Sequence, residues 1–352
     1  MQTVTPPLPS NPSRKSPGSP VRLAVIGAGG IAGAHCSAIQ SNAATATCVA
    51  IAEPDESRRN DRIHVAGGTA RGFADWQTML SELGPEIDGV IICLPHHLHT
   101  AAILDACAAG VNILCEKPMC TSLQEAVRIA EAVRTSGVMY MSAHNQLFIP
   151  SFRKAVEMVR GGQIGRVLWV RSQDCFVARG WKTKEQGNWR ADLKTQGGGE
   201  LIDTGYHPTY RLLELAGAKP AAVRSTMGRF RLNIDGEDTA CVQVRFENGV
   251  IGEILTSWAM PNPYGTHQFH VMGEEGQLFG SGNDLYFLPP GCSDPARVAV
   301  PADAENTFHS QIAEFARCIR ENARPPHGVA EGLAVLEIIL GAAENATGWE
   351  GK

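Results

Sequence analysis

The stretch VRLAVIGAGGIAGAH at residues 21–35 constrains the fold more than any other part of the chain. Val21 to Ile26 is an apolar run the length of a buried parallel strand. It leads straight into Gly27, Gly29 and Ala32 and then into a helix-like pattern, so G-x-G-x-x-A sits between strand and helix. The first glycine permits the tight turn, the second lets a diphosphate approach the backbone, and the small third residue lets helix and strand pack closely. The free N–H groups of the helix N-terminus then attract the phosphates. The segment is expected to open a dinucleotide-binding sheet, with Gly27, Gly29, Gly30 and Ile31 against the cofactor.

The residues that follow extend this reading. TCVAIAEPD is a second strand ending at Glu53, 24 residues after Gly29. A carboxylate there can accept the adenosine ribose hydroxyls, and it repels a 2′-phosphate, so NAD is expected over NADP. Two points weigh on the other side: Glu53 could simply cap a loop before Pro54, and Arg58 and Arg59 just beyond keep NADP open. Further strands are expected at 87–95, at VNILCEKP and at 138–144, with helices over about 100–109 and 122–136 between them. Strands alternating with helices give a doubly wound parallel sheet whose ligand lies at the strand C-terminal ends. Leu94, Pro95, the group His96, His97 and His99, Glu116–Lys117 and His144–Asn145 all fall at such ends.

Beyond residue 150 the pattern changes. RVLWVRSQDCF, AVRSTMGRFRL and TACVQVRF alternate as half-buried strands do, and GVIGEILTSWAM, HQFHVMG and GQLFGSG add more. Two helices over about 307–321 and 328–345 close the chain. The expected fold is α/β: an N-terminal Rossmann doubly wound parallel sheet (21–144), then an α/β domain with an open, mainly antiparallel sheet (145–352), whose last helices can pack back on the first domain. Residues 1–20, rich in Pro and Ser, read as a disordered arm. The polar segment 176–199, with Trp181, Trp189, Arg179, Lys182 and Arg190, suits a lid over a polyhydroxylated ligand, or a solvated connection whose tryptophans cover the core edge.

GGGELIDTGYHPTY at 197–210 sets Asp203 and His207 four residues apart, on one face if the segment is helical. Histidine is the usual general base near neutral pH, and a nearby carboxylate can orient it or touch the substrate. The same residues also suit a plain helix start with a satisfied interior histidine. Lys117, at a strand end before Pro118, can stabilise negative charge on a substrate oxygen or be an ordinary turn lysine. A net charge of −5 without a long basic block argues against nucleic acid as a partner. No apolar run reaches the roughly 18 residues of a membrane span. Ten scattered cysteines, none in C-x-x-C, fit a reducing cytoplasm better than a zinc site or disulfide framework.

Taken together, GAGGIAGAH, Glu53, LPHHLHT with Pro95 and His99, CEKPM with Lys117, and GGGELIDTGYHPTYRLLELAG resemble the Gfo/Idh/MocA oxidoreductase family over about 21–345. The resemblance implies Lys117, Asp203 and His207 as catalytic residues: His207 takes the proton of a sugar or polyol hydroxyl, Lys117 assists at that oxygen, and Asp203 positions substrate or His207. It implies Gly27, Gly29, Gly30, Ile31, Glu53, Leu94, Pro95, His99, Glu116, Lys117 and Asn145 at NAD, and Lys117, His144, Asp174, Arg190, Asp203 and His207 at the substrate. It also implies a homo-oligomer, a dimer or tetramer, built through the open sheet. Two residues depart from the family pattern: Gln146 stands where many relatives have arginine, and Tyr210 where many have aspartate. The expected activity is NAD-dependent oxidation, or the reverse reduction, of a secondary hydroxyl on a sugar, cyclitol or glycoside. A redox-neutral lyase or glycosidase working through a transient ketone, and an NAD-binding sensor, are the alternatives. No metal is expected, although His144, Asp174 and His207 could converge as ligands.

Overall fold

The computed structural model describes residues 19–301 and 306–347. The proline-rich arm expected over 1–20 lies, up to residue 18, outside the described residues. The N-terminal half runs β1 (Val21–Ile26), α1 (Gly30–Ser41), β2 (Ala46–Ala52), α2 (Glu56–Val65), β3 (Arg71–Phe73), α3 (Trp76–Leu83), β4 (Gly89–Ile92), α4 (His99–Ala108), β5 (Asn112–Cys115), α5 (Leu123–Ser136) and β6 (Tyr140–Ser142). The six strands are all parallel, in the order β3-β2-β1-β4-β5-β6. The order reverses between β1 and β4, and a crevice forms outside the strand ends at such a switch point. β4, and β1 apart from Arg22, are apolar because both faces of this sheet are covered.

The second half runs α6 (Pro150–Arg160), β7 (Val167–Cys175), α7 (Leu193–Gln196), α8 (Glu200–Asp203), α9 (Tyr206–Ala216), β8 (Pro220–Gly228), β9 (Thr239–Phe246), β10 (Ile251–Ser257), β11 (Phe269–Gly273), β12 (Gly276–Ser281), β13 (Asp284–Leu288), β14 (Ala296–Val298), α10 (Thr307–Glu321), α11 (Val329–Glu344) and β15 (Ala346–Thr347). Its nine strands form one sheet, β14-β13-β12-β11-β7-β10-β9-β8-β15. The sheet is mostly antiparallel, with β10 parallel to β7 and β15 parallel to β8. Alternation along β9 explains its covering: Ala240, Val242, Val244 and Phe246 are buried beneath the helices, whereas Cys241, Gln243 and Arg245 are exposed on the open face. Leu168 and Ile251 are exposed as well.

Helix α10 returns to the first half and packs on α1 and β1, where Ile312 and Phe315 join Val21, Leu23, Cys36 and Ile39 in one apolar cluster. Gly89 makes room for it, since a Cβ there would sit 2.9 Å from the Phe315 ring. Burying a phenylalanine side chain contributes about 1.5–3 kcal/mol, which ties the last helices to the nucleotide-binding sheet.

Several local expectations change. The segment around Asp203 and His207 is not one helix: α8 ends at Asp203 and α9 begins at Tyr206. Gly205 lies tight against the preceding turn, where an added Cβ would be 2.7 Å from the Leu201 carbonyl oxygen. Strand β8 stops at Gly228 rather than running to 232, because the Asp238 carboxylate gathers the N–H groups of Phe230, Arg231 and Leu232 at 2.7–3.0 Å and bends the chain away. Strands β3, β13, β14 and β15 were not anticipated; they have two to five residues and lie at or near sheet edges.

Candidate active site

At the end of β1 the chain turns through Gly27 with φ +93°. A Cβ there would lie 2.4 Å from the carbonyl oxygen of Cys93, beyond β4, so only glycine fits. Above Gly29 and Gly30 the space is open: an added Cβ would meet no atom within 4 Å at either. Gly29 caps α1 without a side-chain hydrogen bond. The first N–H groups of a 12-residue helix therefore face open space, which leaves room for a diphosphate. Glu53 is 7% exposed at the end of β2. Its Oε2 accepts the Ala28 N–H at 2.9 Å, and its Oε1 accepts from the Asp55 N–H and from Arg58 at 2.7 Å. The acid is thus fixed beside the glycine turn, with a largely exposed guanidinium as its outer partner. Ile31, on the first turn of α1, is exposed at the same place.

Next to this turn, β4 and β5 end in two loops held together by His99. Its Nδ1 lies 2.7 Å from the Pro118 carbonyl oxygen and its Nε2 2.8 Å from that of Leu94. His99 is fully buried, and burial lowers its pKa; the neutral ring donates its one N–H to one of these carbonyls and packs against the other. Glu116 bonds His35 of α1 at 2.8 Å and accepts the Lys117 N–H at 3.2 Å, linking the glycine-turn helix to the lysine loop. Asn145 donates to the Thr307 hydroxyl at 3.0 Å, at the start of α10.

Lys117 reaches across to α8. Its Nζ donates to the Asp203 carboxylate at 2.6 Å and to the Asp203 carbonyl at 2.9 Å. Arg190 of the segment 176–199 donates its Nε to the other carboxylate oxygen at 2.6 Å. Burial by itself would raise the Asp203 carboxyl, but the Lys117 and Arg190 charges outweigh it and hold the group well below the usual carboxylate range. The Arg190 guanidinium also lies over the Trp189 ring, 4.2 Å from its centroid. Trp189 in turn packs edge-on against His96. Burial lowers His96 to about 3, so it stays neutral and donates no charge to the site.

The acid therefore holds the lysine rather than the imidazole. His207 is half-buried, and its Nδ1 lies 2.8 Å from the Tyr210 hydroxyl. Burial, then the Lys117 and Arg211 charges, push His207 well below its ordinary value, which leaves it neutral near neutral pH. The Tyr210 oxygen also accepts the Gln146 N–H at 3.2 Å. The Gln146 side chain bonds Arg211 and, at 3.4 Å, Asp174. Behind Tyr210, the His144 ring stacks on the phenol at 4.3 Å and 13°. His144 is 1% exposed, and its Nδ1 lies 2.6 Å from that of His327. His144 and Asp174 thus face Tyr210, His327 and Gln146 instead of converging with His207 on one point. Among the described residues no group of three or more His, Cys, Asp or Glu is arranged to hold a metal ion.

Two further acids support α8. Glu237 accepts the Leu201 N–H at 2.9 Å and is raised by burial to about 7. Glu200 accepts from Thr256 at 2.5 Å and is raised well above its ordinary value, first by burial. A cavity of about 280 Å³ lined by Ala178–Thr183 and 231–234 contains none of Lys117, Asp203 or His207; the chemistry belongs to the crevice at the strand ends. Tyr210, Gln146 and Arg211 are the site residues that residue-by-residue reading missed. Gln146 and Tyr210 are marked in the sequence only by their departure from the family pattern, and Arg211 carries no mark at all.

Two family models match the chain, "Oxidoreductase family, NAD-binding Rossmann fold" over residues 21–144 and "GFO/IDH/MocA C-terminal domain" over residues 152–279. The 1,5-anhydro-D-fructose reductase of Ensifer adhaerens is 28% identical, covering 77% of this chain and 84% of that protein. The scyllo-inositol 2-dehydrogenase (NAD(+)) of Bacillus subtilis (strain 168) is 27% identical, covering 92% and 93%. Among solved structures, levoglucosan dehydrogenase in complex with NADH and levoglucosan shares the fold with a TM-score of 0.83 and 22% identity, covering 93% of this chain and 97% of that one.

Proposed function

This chain belongs to the GFO/IDH/MocA oxidoreductase family, and from that premise we propose that it is an NAD-dependent dehydrogenase, or the reverse reductase, acting on a secondary hydroxyl of a sugar, cyclitol or glycoside. The observation that carries the reading is the joining of Lys117, Asp203 and Arg190 beside a neutral His207, next to the glycine turn and Glu53. The open turn over Gly29 and Gly30 would hold the diphosphate, and Glu53, now paired with the exposed Arg58, would hold the adenosine ribose. When bound, NAD supplies the hydride acceptor.

The protein's own residues handle the proton. His207 has its Nδ1 engaged with Tyr210, which leaves Nε2 for the substrate. Nε2 takes the proton as the carbinol O–H bond breaks, the O–H pair forms the C=O bond, and the carbinol hydrogen departs as hydride with the C–H pair to that acceptor. Lys117, held in place by Asp203, donates a hydrogen bond to the same oxygen and stabilises its developing negative charge. Arg190, anchored on Trp189 and Asp203, has its remaining N–H groups available for the other hydroxyls of the ring. Asp203 acts through Lys117 and Arg190.

The protein is read as working in the reducing cytoplasm, which its ten free cysteines suit. It is read as a homo-oligomer joined through the open sheet face that exposes Leu168 and Ile251. No helix of the described residues is long and apolar enough to cross a membrane. The experiment is a screen of purified protein with NAD and NADP against sugars, inositols, sugar acids and glycosides, followed by absorbance and by product analysis. Steady reduction of NAD with ketone formation is the expected result. Product formation at flat absorbance would move the assignment to redox-neutral lyase or glycosidase chemistry. Nucleotide binding without turnover of any carbinol would favour a sensor.

A further inference from the structure

We propose that Tyr210 is the positioning residue of His207, a neutral two-way hydrogen-bond partner that sets which ring nitrogen carries the hydrogen. The inference rests on His207 being the proton-handling group of the proposed reaction. Its basis is a hydrogen-bond count at one buried oxygen. The Tyr210 hydroxyl is fully buried and meets two nitrogens, Gln146 N at 3.2 Å and His207 Nδ1 at 2.8 Å. The Gln146 N–H can only donate, so the phenol oxygen accepts there. The phenol hydrogen then has one partner among the described residues, Nδ1.

With NADH bound and the ring neutral, Tyr210 therefore donates to a bare Nδ1 and the ring hydrogen of His207 sits on Nε2, the form that gives a proton to a ketone oxygen; oxidation of a carbinol uses the reversed form, with the hydrogen on Nδ1 and Nε2 bare. An aspartate at this position could only accept, and would force the hydrogen onto Nδ1. The phenol can also reverse. When the ring exchanges its hydrogen through crevice water to Nδ1, or becomes doubly protonated, Nδ1–H donates to the same oxygen. Nε2 can thus give or take a proton at the substrate oxygen with no negative charge beneath the imidazole.

The surroundings hold this arrangement in place. The phenol ring is clamped by the stacked His144, with His327 behind it. Gln146 is fixed by Arg211 and Asp174. The charged and titratable groups around His207 are Lys117 at the end of β5, Asp203 on α8, Arg190 through Asp203, Tyr210 and Arg211 on its own helix, His144 beyond β6, and Asp174 on β7. Asp203 is committed to two cations, so it is not free to support the imidazolium.

The test is nitrogen-15 NMR of histidine-labelled holoenzyme with NADH bound, with His207→Gln used to assign the His207 signals. The wild type is expected to show the Nε2–H tautomer with a hydrogen-bonded Nδ1. Tyr210→Phe keeps the ring and its stacking on His144; its Nδ1 signal should move to the position of an unbonded imine nitrogen, and turnover should fall roughly tenfold, the worth of one such hydrogen bond, with NADH affinity unchanged. Tyr210→Asp should switch the hydrogen to Nδ1 and raise the protonation midpoint of His207 by about 1–3 units. A wild-type ring already carrying its hydrogen on Nδ1, or a Tyr210→Phe protein whose Nδ1 signal does not move, overturns the proposal. If Tyr210→Asp does not fold, the wild-type and Tyr210→Phe spectra still decide. These spectra need no substrate, so a protein that oxidises no carbinol would refute the proposed function without touching this result.

Discussion

Replacing Asp203 with asparagine keeps the side chain's shape and removes its charge. In the wild type that carboxylate accepts from Lys117 and Arg190, each at 2.6 Å, and its side chain is 5% exposed. Breaking a buried ion pair by removing one partner costs about 3–5 kcal/mol. Arg190 is 38% exposed and recovers part of its share from water, so the low end, about 3 kcal/mol, is the expected loss. At roughly 2 °C per kcal/mol for a chain of this size, the melting temperature should fall by about 6 °C. The pH dependence has a definite sign. The folded-state pKa of Asp203 lies below its unfolded value, so the pair stabilises fully above about pH 4 and loses its effect only as pH falls toward the lower folded value. Asp203→Asn should remove that acid-range loss, leaving a flatter melting profile between about pH 4 and pH 2 than the wild type shows. Turnover should drop with it, because Lys117 loses the partner that fixes its position. NADH binding, measured by fluorescence, should stay within about threefold, since the glycine turn is untouched. A variant that melts with the wild type and turns over at the wild-type rate would refute this account of the carboxylate.

Gly27→Ala places a Cβ 2.4 Å from the Cys93 carbonyl oxygen at φ +93°; the left-handed backbone alone costs about 1–2 kcal/mol, and NADH affinity should fall by tenfold or more as β1 and β4 part. An alanine scan with calorimetry that found normal NADH binding at position 27 would contradict the placement of the cofactor. Glu53→Ala removes the acceptor of the Ala28 N–H and frees Arg58; NADH affinity should drop roughly tenfold while NADPH affinity holds or rises, as paired titrations would show. Unchanged preference between the two nucleotides would mean that Glu53 has no part in recognising the ribose.

The features legible in the sequence share a physical cause. The glycine turn, β1 and the alternation of parallel strands with helices follow from short apolar runs separated by helical patterns, and the periodic pattern of α10 marks it over 307–321. The short strands β3, β13, β14 and β15 have too few residues for their alternation to stand out. At the site, residue types suggested which side chains matter but not which would touch. The spacing of Asp203 and His207 suggested a shared helical face, yet the break at Thr204–Gly205 sends the acid to Lys117 and Arg190 and leaves the imidazole to Tyr210. That exchange depends on Gln146 and Arg211, which lie 65 residues apart and meet only in the fold. His99 shows the converse: its position at a strand end suggested a ligand contact, and its ring is buried between two carbonyl oxygens.

The most direct measurement follows one hydrogen atom. A sugar or cyclitol that the protein turns over is labelled with deuterium at its reacting carbinol carbon, and the bound nucleotide is recovered and weighed by mass spectrometry. The account predicts one deuterium delivered to the nicotinamide by the wild type, with delivery slowed by about 10²–10⁴-fold in His207→Ala while NADH still binds. Product that forms with no deuterium on the nicotinamide, or a His207→Ala protein that transfers it at the wild-type rate, would contradict it.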